Sequence, residues 1–382
     1  MAELVTTGEG ATALARSLTS LPGCAVDLEA NGRFAYKARV CFLQIAHGER
    51  AWLVDTLIVD VALFREPLGA EGPVKIVHDV AFDARMLAEA GVALGNVHDT
   101  AIAAQMLGRA STGLGSLALA ELGISMDKSL QGHDWGARPL PPEMLEYLAG
   151  DVEHLTALHD KLWAEVLGTG IEAEILEETQ YRILSAIASA RAPDVPAYAR
   201  IKGVEKLAPP EQAVLRRLCE ARDREARRLD APATELVPAS ALIAIVRAKP
   251  TSIDALKTIP GAMPRRQGYA VARELLRAVQ QGLADGDIPP EERPLLSPRS
   301  VPAETLRARR ARETRLMAWR RAEAERRKVN EQVVLPGHCL KDLAELPEVD
   351  EHTVAGVRGI GDFRLARDAE SLMRVLRTEE RG

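Results

Sequence analysis

The sequence predicts an α/β domain built on a mixed sheet, followed by two smaller all-α domains. Three observations carry that prediction. β-rich runs crowd the N-terminal part and then give way to strand–helix alternation. After residue 168 the pattern is almost wholly helical, and that helical part repeats itself. At 382 residues the chain exceeds one ordinary domain, and 47% hydrophobic with 27% charged residues describes a globular protein with ample core material. Aromatics make up only 4%, so the cores must be built from Leu, Ala, Val and Ile. The reading places domains at 1–195, 205–288 and 300–382.

Residues 9–20 read as a helix with Ala11, Leu14, Ala15 and Leu18 on one face, leading into a strand at 24–29. Runs 40–46 and 51–54 are further strands, joined by the turn His47-Gly48-Glu49-Arg50. Three strands in close succession suggest an antiparallel meander at one edge of the sheet. Residues 74–78 and 97–98 then read as strands around a helix at 82–90 stopped by Gly91, with helices at 99–108, 114–122 and 141–167.

The first strand ends in Asp27-Leu28-Glu29. Side chains alternate along a strand, so both carboxylates fall on one face, about 7 Å apart. Like charges at that spacing repel until a hard cation with oxygen ligands sits between them. Asp83 falls in the first turn of a helix entered directly from a strand, and Asp79 reads more naturally as a cap. On the late helix, Tyr147 and Asp151 are four apart and share a face, with Glu143 one turn further back.

In the helical half, residues 221–230 followed by Val237-Pro238 match residues 322–330 followed by Leu335-Pro336. Each copy continues with a leucine-spaced helix, a glycine turn (Ile259-Pro260-Gly261 or Arg358-Gly359-Ile360-Gly361) and a terminal helix. Pro289-Pro290, Pro294 and Ser297-Pro298 mark a linker. The run from Arg307 to Lys328 holds ten Arg/Lys against three Glu, and Arg216, Arg217, Arg222, Arg224, Arg227 and Arg228 form a second cluster. Either could bind phosphates or form a solvated helix face. Residues 1–168 carry 12 Lys+Arg against 22 Asp+Glu, so an N-terminal domain handling nucleic acid needs metal or basic neighbours. No stretch approaches a membrane span, the N-terminus lacks a secretory pattern, and the four dispersed cysteines form no C-x-x-C; the expectation is a cytoplasmic protein with buried thiols.

Asp27-x-Glu29, Asp83 after a strand ending in His78, and Tyr147-x-x-x-Asp151 resemble the three exonuclease motifs of the DEDD superfamily, in its Tyr-containing subclass. Lys128 to Leu140, with Asp134-Trp135-Gly136-Ala137-Arg138-Pro139-Leu140, is similar to a segment of the bacterial ribonuclease D family, and Asp99-Thr100 with Ala103-Ala104 also fits. The repeated helical units resemble HRDC domains. HRDC modules also occur in helicases, but the phosphate-cradling G-x-x-x-x-G-K-[ST] is absent here. One departure is Leu28, where many relatives carry Thr.

The resemblance implies a ribonuclease H-like exonuclease sheet and a 3′→5′ exoribonuclease that releases 5′-nucleoside monophosphates with two divalent cations, Mg²⁺ or Mn²⁺. It implies that Asp27 bridges both ions, Glu29 and Asp151 complete one site, Asp83 holds the other, and Tyr147 orients the attacking water. Gln44, His78, Trp135 and Arg138 are candidates for gripping the RNA terminus. The implied partner is RNA with a single-stranded 3′ end, such as a tRNA precursor, with no membrane and no obligate protein partner. A 3′→5′ DNA exonuclease and a non-catalytic RNA-binding protein with a relic site are the alternatives.

Overall fold

The computed structural model describes residues 2–127, 130, 132–191, 195–264, 267–296 and 301–377. Lys128, Ser129 and Gln131 of the motif segment, and Ser297-Pro298 of the linker, lie outside the described residues. The chain forms two compact units, the first from the described residues of 1–30, 40–191 and 301–382, the second from those of 31–39 and 192–300.

The first unit holds a six-stranded mixed sheet: β1 (Glu3–Val5), β2 (Gly23–Ala30), β3 (Val40–His47), β4 (Arg50–Asp55), β5 (Val74–Val77) and β6 (Val97–Asp99), in the order β1-β4-β3-β2-β5-β6. β2, β3 and β4 form the expected antiparallel meander, while β5 and β6 add in parallel. The meander is not at the edge, however, because β1 pairs in parallel outside β4. That three-residue strand is too short to show a period-2 pattern.

Helix α1 (Gly8–Leu18) buries the four residues read from its periodicity, and Thr7 caps it by accepting from the Gly10 amide. Helix α2 (Ala81–Glu89) follows β5, and α3 (Thr100–Met106) follows β6. The region read as one helix at 141–167 is two, α4 (Pro142–Glu153) and α5 (Leu155–Thr169), which meet at His154. The break leaves Asp151 in the last turn of α4 instead of mid-helix. Helix α6 (Glu172–Arg191) then leads out of this part of the chain.

α4 settles on the sheet where the sequence supplies small residues. Ala46 pairs across the sheet with Ala25 on one side and Ala51 on the other, and all three are buried. Ala149, Val152 and Leu155 pack onto that lane. Residues directly opposite in a sheet share a face, so the lane belongs to the face that carries Asp27 and Glu29.

The two helical repeats correspond element by element. The first, in the second unit, has α7 (Pro209–Leu229), a left-handed Asp230, α8 (Ala239–Ala248) capped at Pro238, a left-handed Gly261 and α9 (Gly268–Asp285). The second, in the first unit, has α10 (Ala303–Arg327), a left-handed Lys328, α11 (Gly337–Glu345) capped at Pro336, a left-handed Gly359 and α12 (Asp362–Arg377). Each has its own apolar core.

Part of each cationic run is used inside the protein. In the second repeat Arg320 pairs with Glu331, Arg312 and Arg315 donate to the carbonyls of Leu346 and Val375, and Arg327 pairs with the fully buried Glu174 of α6. Buried Arg364 joins the same contact, donating to Glu177 and to the carbonyls of Glu174 and Val333. In the first repeat Arg216 pairs with Glu292, Arg217 with Asp285 and Arg228 with Glu225, while buried Arg222 donates to the Val237 carbonyl. These arginines are structural tethers, whereas Arg224, Arg307, Arg310, Arg321, Arg326 and Lys328 are exposed, so both readings of the clusters, phosphate-binding and solvated, stay open for them. All four cysteines are buried, as expected.

Replacing Ala46 by leucine inserts bulk into the lane under α4. The expected result is a loss of about 1–3 kcal/mol of stability by urea denaturation; an unchanged midpoint would show that α4 does not depend on the small-residue lane.

Candidate active site

Asp27 and Glu29 stand on one face of β2, both half-buried. α4, seated on the alanine lane, brings Asp151 to them: the three carboxylates each offer an oxygen within 4.8 Å of the others. Asp83, in the first turn of α2, is buried and feels the charges of both Asp27 and Glu29, though it is not part of that close trio. Glu143 is exposed and is not part of that trio.

The electrostatics follow from the crowding. Burial, then the charge of Asp151, pushes Asp27 up to about 7, against one lowering contact from the Leu28 amide. Burial and the same neighbouring carboxylates push Glu29 up to about 8. Asp151 rises to about 6 through burial, and Asp83 rises well above the carboxylate range through burial first and then its acidic neighbours. Tyr147, one turn before Asp151, is pushed up to about 12 by burial and by those carboxylates, so its phenol keeps its proton and is a donor.

The turn that presents Asp83 is organised by a residue that local reading undervalued. Asp79, expected as a cap, has an exposed side chain and a left-handed backbone with φ 64°. The fully buried Asp99 does the work instead. Its carboxylate accepts from the amides of Asp79 (3.2 Å) and Val80 (2.8 Å), and from those of Ala101 (2.8 Å) and Ile102 (3.1 Å) at the start of α3. One side chain thus joins the β5–α2 turn to the end of β6. His78 Nδ1 lies 2.9 Å from Thr100 Oγ1, and that hydroxyl donates to the Val77 carbonyl.

The four residues expected to grip a terminus are placed differently. Gln44 is fully buried, opposite Asp27 in the sheet register, with both amide atoms lacking a hydrogen-bond partner among the described residues. Trp135 is also buried, its ring 5.8 Å from that of Tyr147 and near parallel to it. Arg138 binds Asp55 through two hydrogen bonds of 2.7 and 2.8 Å, donates to the carbonyls of Trp135 and Cys41, and lies over Phe42. Gln44 and Trp135 therefore present no surface to a ligand, and Arg138 holds the segment that backs Tyr147. His78 is half-buried.

The donor set fits a divalent cation. Hard carboxylate oxygens converge, and their charges are met by further carboxylates.

These raised carboxylates bind protons more tightly in the folded than in the unfolded chain, where they titrate near about 4. Without a divalent cation, stability should therefore fall as pH rises from about 4 to about 8, the value reached by Glu29. Urea midpoints in chelator across that range test this for the wild type and Asp27→Asn. A shallower slope in the variant is expected; identical slopes would contradict the crowding.

Residues 2–167 match the family model described as 3′-5′ exonuclease, and residues 211–279 and 309–376 match the HRDC domain model. The chain is 27% identical to ribonuclease D of Granulibacter bethesdensis over 75% of this chain and 73% of that one. It is 28% identical to ribonuclease D of Gluconacetobacter diazotrophicus over 78% of this chain and 77% of that one. Its fold matches the crystal structure of Escherichia coli RNase D, described as an exoribonuclease involved in structured RNA processing, with a TM-score of 0.70, 22% identity and 98% of each chain covered.

Proposed function

We propose that the chain, which matches the 3′-5′ exonuclease and HRDC domain models and is similar to ribonuclease D enzymes, uses its carboxylate cluster to remove 5′-nucleoside monophosphates stepwise from the single-stranded 3′ tail of a structured RNA, such as a tRNA precursor. The observation that carries this reading is the convergence of Asp27, Glu29 and Asp151 beside Asp83 and Tyr147.

Asp27, Glu29 and Asp151 would hold one divalent cation, and Asp27 with Asp83 a second, Mg²⁺ or Mn²⁺ in each case. Bound there, such cations lower the pKa of coordinated water and offset phosphate charge. The chain's own contribution is to bind and orient. β2 and α4 fix the donor oxygens before substrate arrives, so little reorganisation is left for the reacting state. Tyr147, kept protonated by burial and by its carboxylate neighbours, donates a hydrogen bond that orients the attacking water and does not act as a base. Trp135 and the Arg138–Asp55 pair hold the ring of Tyr147 in place.

A free single-stranded 3′ end fits this site because a duplex hides its terminal phosphodiester. The same carboxylates could cut DNA, so the sugar preference must be measured. Domain limits of 1–195, 205–288 and 300–382 and action without an obligate protein partner complete the proposal. The four buried thiols support a cytoplasmic setting, and among the described residues no helix is long and apolar enough to cross a membrane.

Digestion of a 3′-tailed RNA hairpin and its DNA counterpart tests the reading. Stepwise shortening of the RNA from its 3′ end is expected, dependent on Mg²⁺ or Mn²⁺ and lost in Asp27→Ala. Binding of the hairpin without shortening under either metal would overturn it. Tyr147→Phe should lower kcat about 100-fold through lost positioning; an undiminished kcat would make Tyr147 a packing residue.

A further inference from the structure

The tethering of many helical arginines raises the question of which other cationic side chains are available to RNA. The nine residues from Asn31 to Arg39, which join the ends of β2 and β3, are rich in them: Asn-Gly-Arg-Phe-Ala-Tyr-Lys-Ala-Arg. This segment clusters with the first helical repeat, in the second unit.

The segment is built as a fixed loop. Buried Asn31 closes its base: the Asn31 side chain accepts from the Arg39 amide (3.0 Å), and its carbonyl accepts from the amides of Phe34 (2.8 Å) and Ala35 (3.0 Å). Tyr36 anchors the far side on α7. Its hydroxyl donates to Asp223 (2.7 Å) and accepts from Arg227 (3.1 Å), and its amide donates to Asp230 (3.1 Å). The Arg227 guanidinium also lies over the Tyr36 ring. Arg39 lies 3.9 Å from Asp230.

With both ends fixed, the tip is left outward. Phe34 is 41% exposed, and Arg33 and Lys37 are exposed and make no ion pair among the described residues. Arg33 and Phe34 line a groove of about 550 Å³ whose other walls include Pro232, Pro238 and Met263, with Glu235 as its acidic member. An exposed aromatic flanked by unpaired cations, beside an apolar wall, suits an unstacked base and its phosphate. Glu235 disfavours phosphate inside the groove, so the base enters and the backbone runs past Arg33 and Lys37. Because the loop is already ordered, little conformational entropy is lost on binding.

We propose that Arg33, Phe34 and Lys37, with the groove of the first helical repeat, form a subsite that stacks a nucleotide of the single-stranded RNA upstream of the scissile end. Phe34 is five residues after Glu29, so their Cα atoms are at most about 17 Å apart by chain length alone. The subsite therefore serves the same strand whose end is cut. This proposal rests on the exonuclease reading above, and its test separates the two.

The test compares kcat/KM on a 3′-tailed RNA with kcat/KM on the p-nitrophenyl ester of uridine 5′-monophosphate, which has no upstream nucleotide. Phe34→Ala should lower the ratio of the two about tenfold, and Phe34→Trp should restore it. Arg33→Glu should lower the ratio and reduce the salt slope of RNA binding by about one. An unchanged ratio in both variants, or an equal fall on both substrates, overturns the subsite. RNA binding by Asp27→Ala, read by fluorescence anisotropy with and without Phe34→Ala, keeps the question separate from hydrolysis. About tenfold weaker binding is expected; equal affinities overturn the subsite even where the exonuclease reading stands, and a weakening without any wild-type hydrolysis supports the subsite while overturning that reading.

Discussion

Carboxylates repel one another, and the organisation of the first unit depends on holding Asp27, Glu29 and Asp151 together regardless. Two of them are fixed by strand alternation alone, since Asp27 and Glu29 share a face of β2. The third arrives on a separate helix, and its position depends on how closely that helix approaches the sheet. The lane of Ala25, Ala46 and Ala51 makes that approach possible, and Ala149 and Val152 complete the contact from above. Apolar burial along the lane offsets the repulsion at its end. The cluster is thus held in place by packing around it, and its raised proton affinities record the tension.

Around the cluster, polar groups fix geometry instead of touching ligand. Asp99 gathers four amides and sets the turn before Asp83. Arg138 crosses from the segment before α4 to Asp55 at the end of β4, and Trp135 lies against Tyr147. Rigid support of this kind lets a phenol with a retained proton act as a positioned donor. The second helical repeat is joined to α6 through Glu174, Glu177 and Glu178, where Arg327, Arg364 and His338 meet them. Ion pairs as buried as Arg364–Glu177 fix a register more than they add stability.

Much of this was legible in the sequence. The strand carrying Asp27 and Glu29, the hairpin at His47–Arg50 and the two matched helical units, down to Pro238 and Pro336 at corresponding caps, follow from periodicity and turn chemistry. What stayed hidden depends on partners distant in the chain. β1 has three residues and exists only by pairing with β4. Asp79 reads as a cap locally, but Val80 stands at the helix N-cap, and the amides of Asp79 and Val80 themselves donate to Asp99, twenty residues from Asp79. Gln44 and Trp135 read as ligand contacts because burial cannot be seen in one sequence.

The central claim is that packing forces these carboxylates together, so that they hold protons until a divalent cation displaces them. Calorimetric titration of the protein with Mg²⁺ near neutral pH, in two buffers of different ionisation enthalpy, tests this most directly. The account predicts buffer-dependent heats that reveal proton release on binding, with binding and release both diminished in Asp151→Asn. Mg²⁺ binding with the same heat in both buffers, or binding indifferent to Asp151, would contradict it.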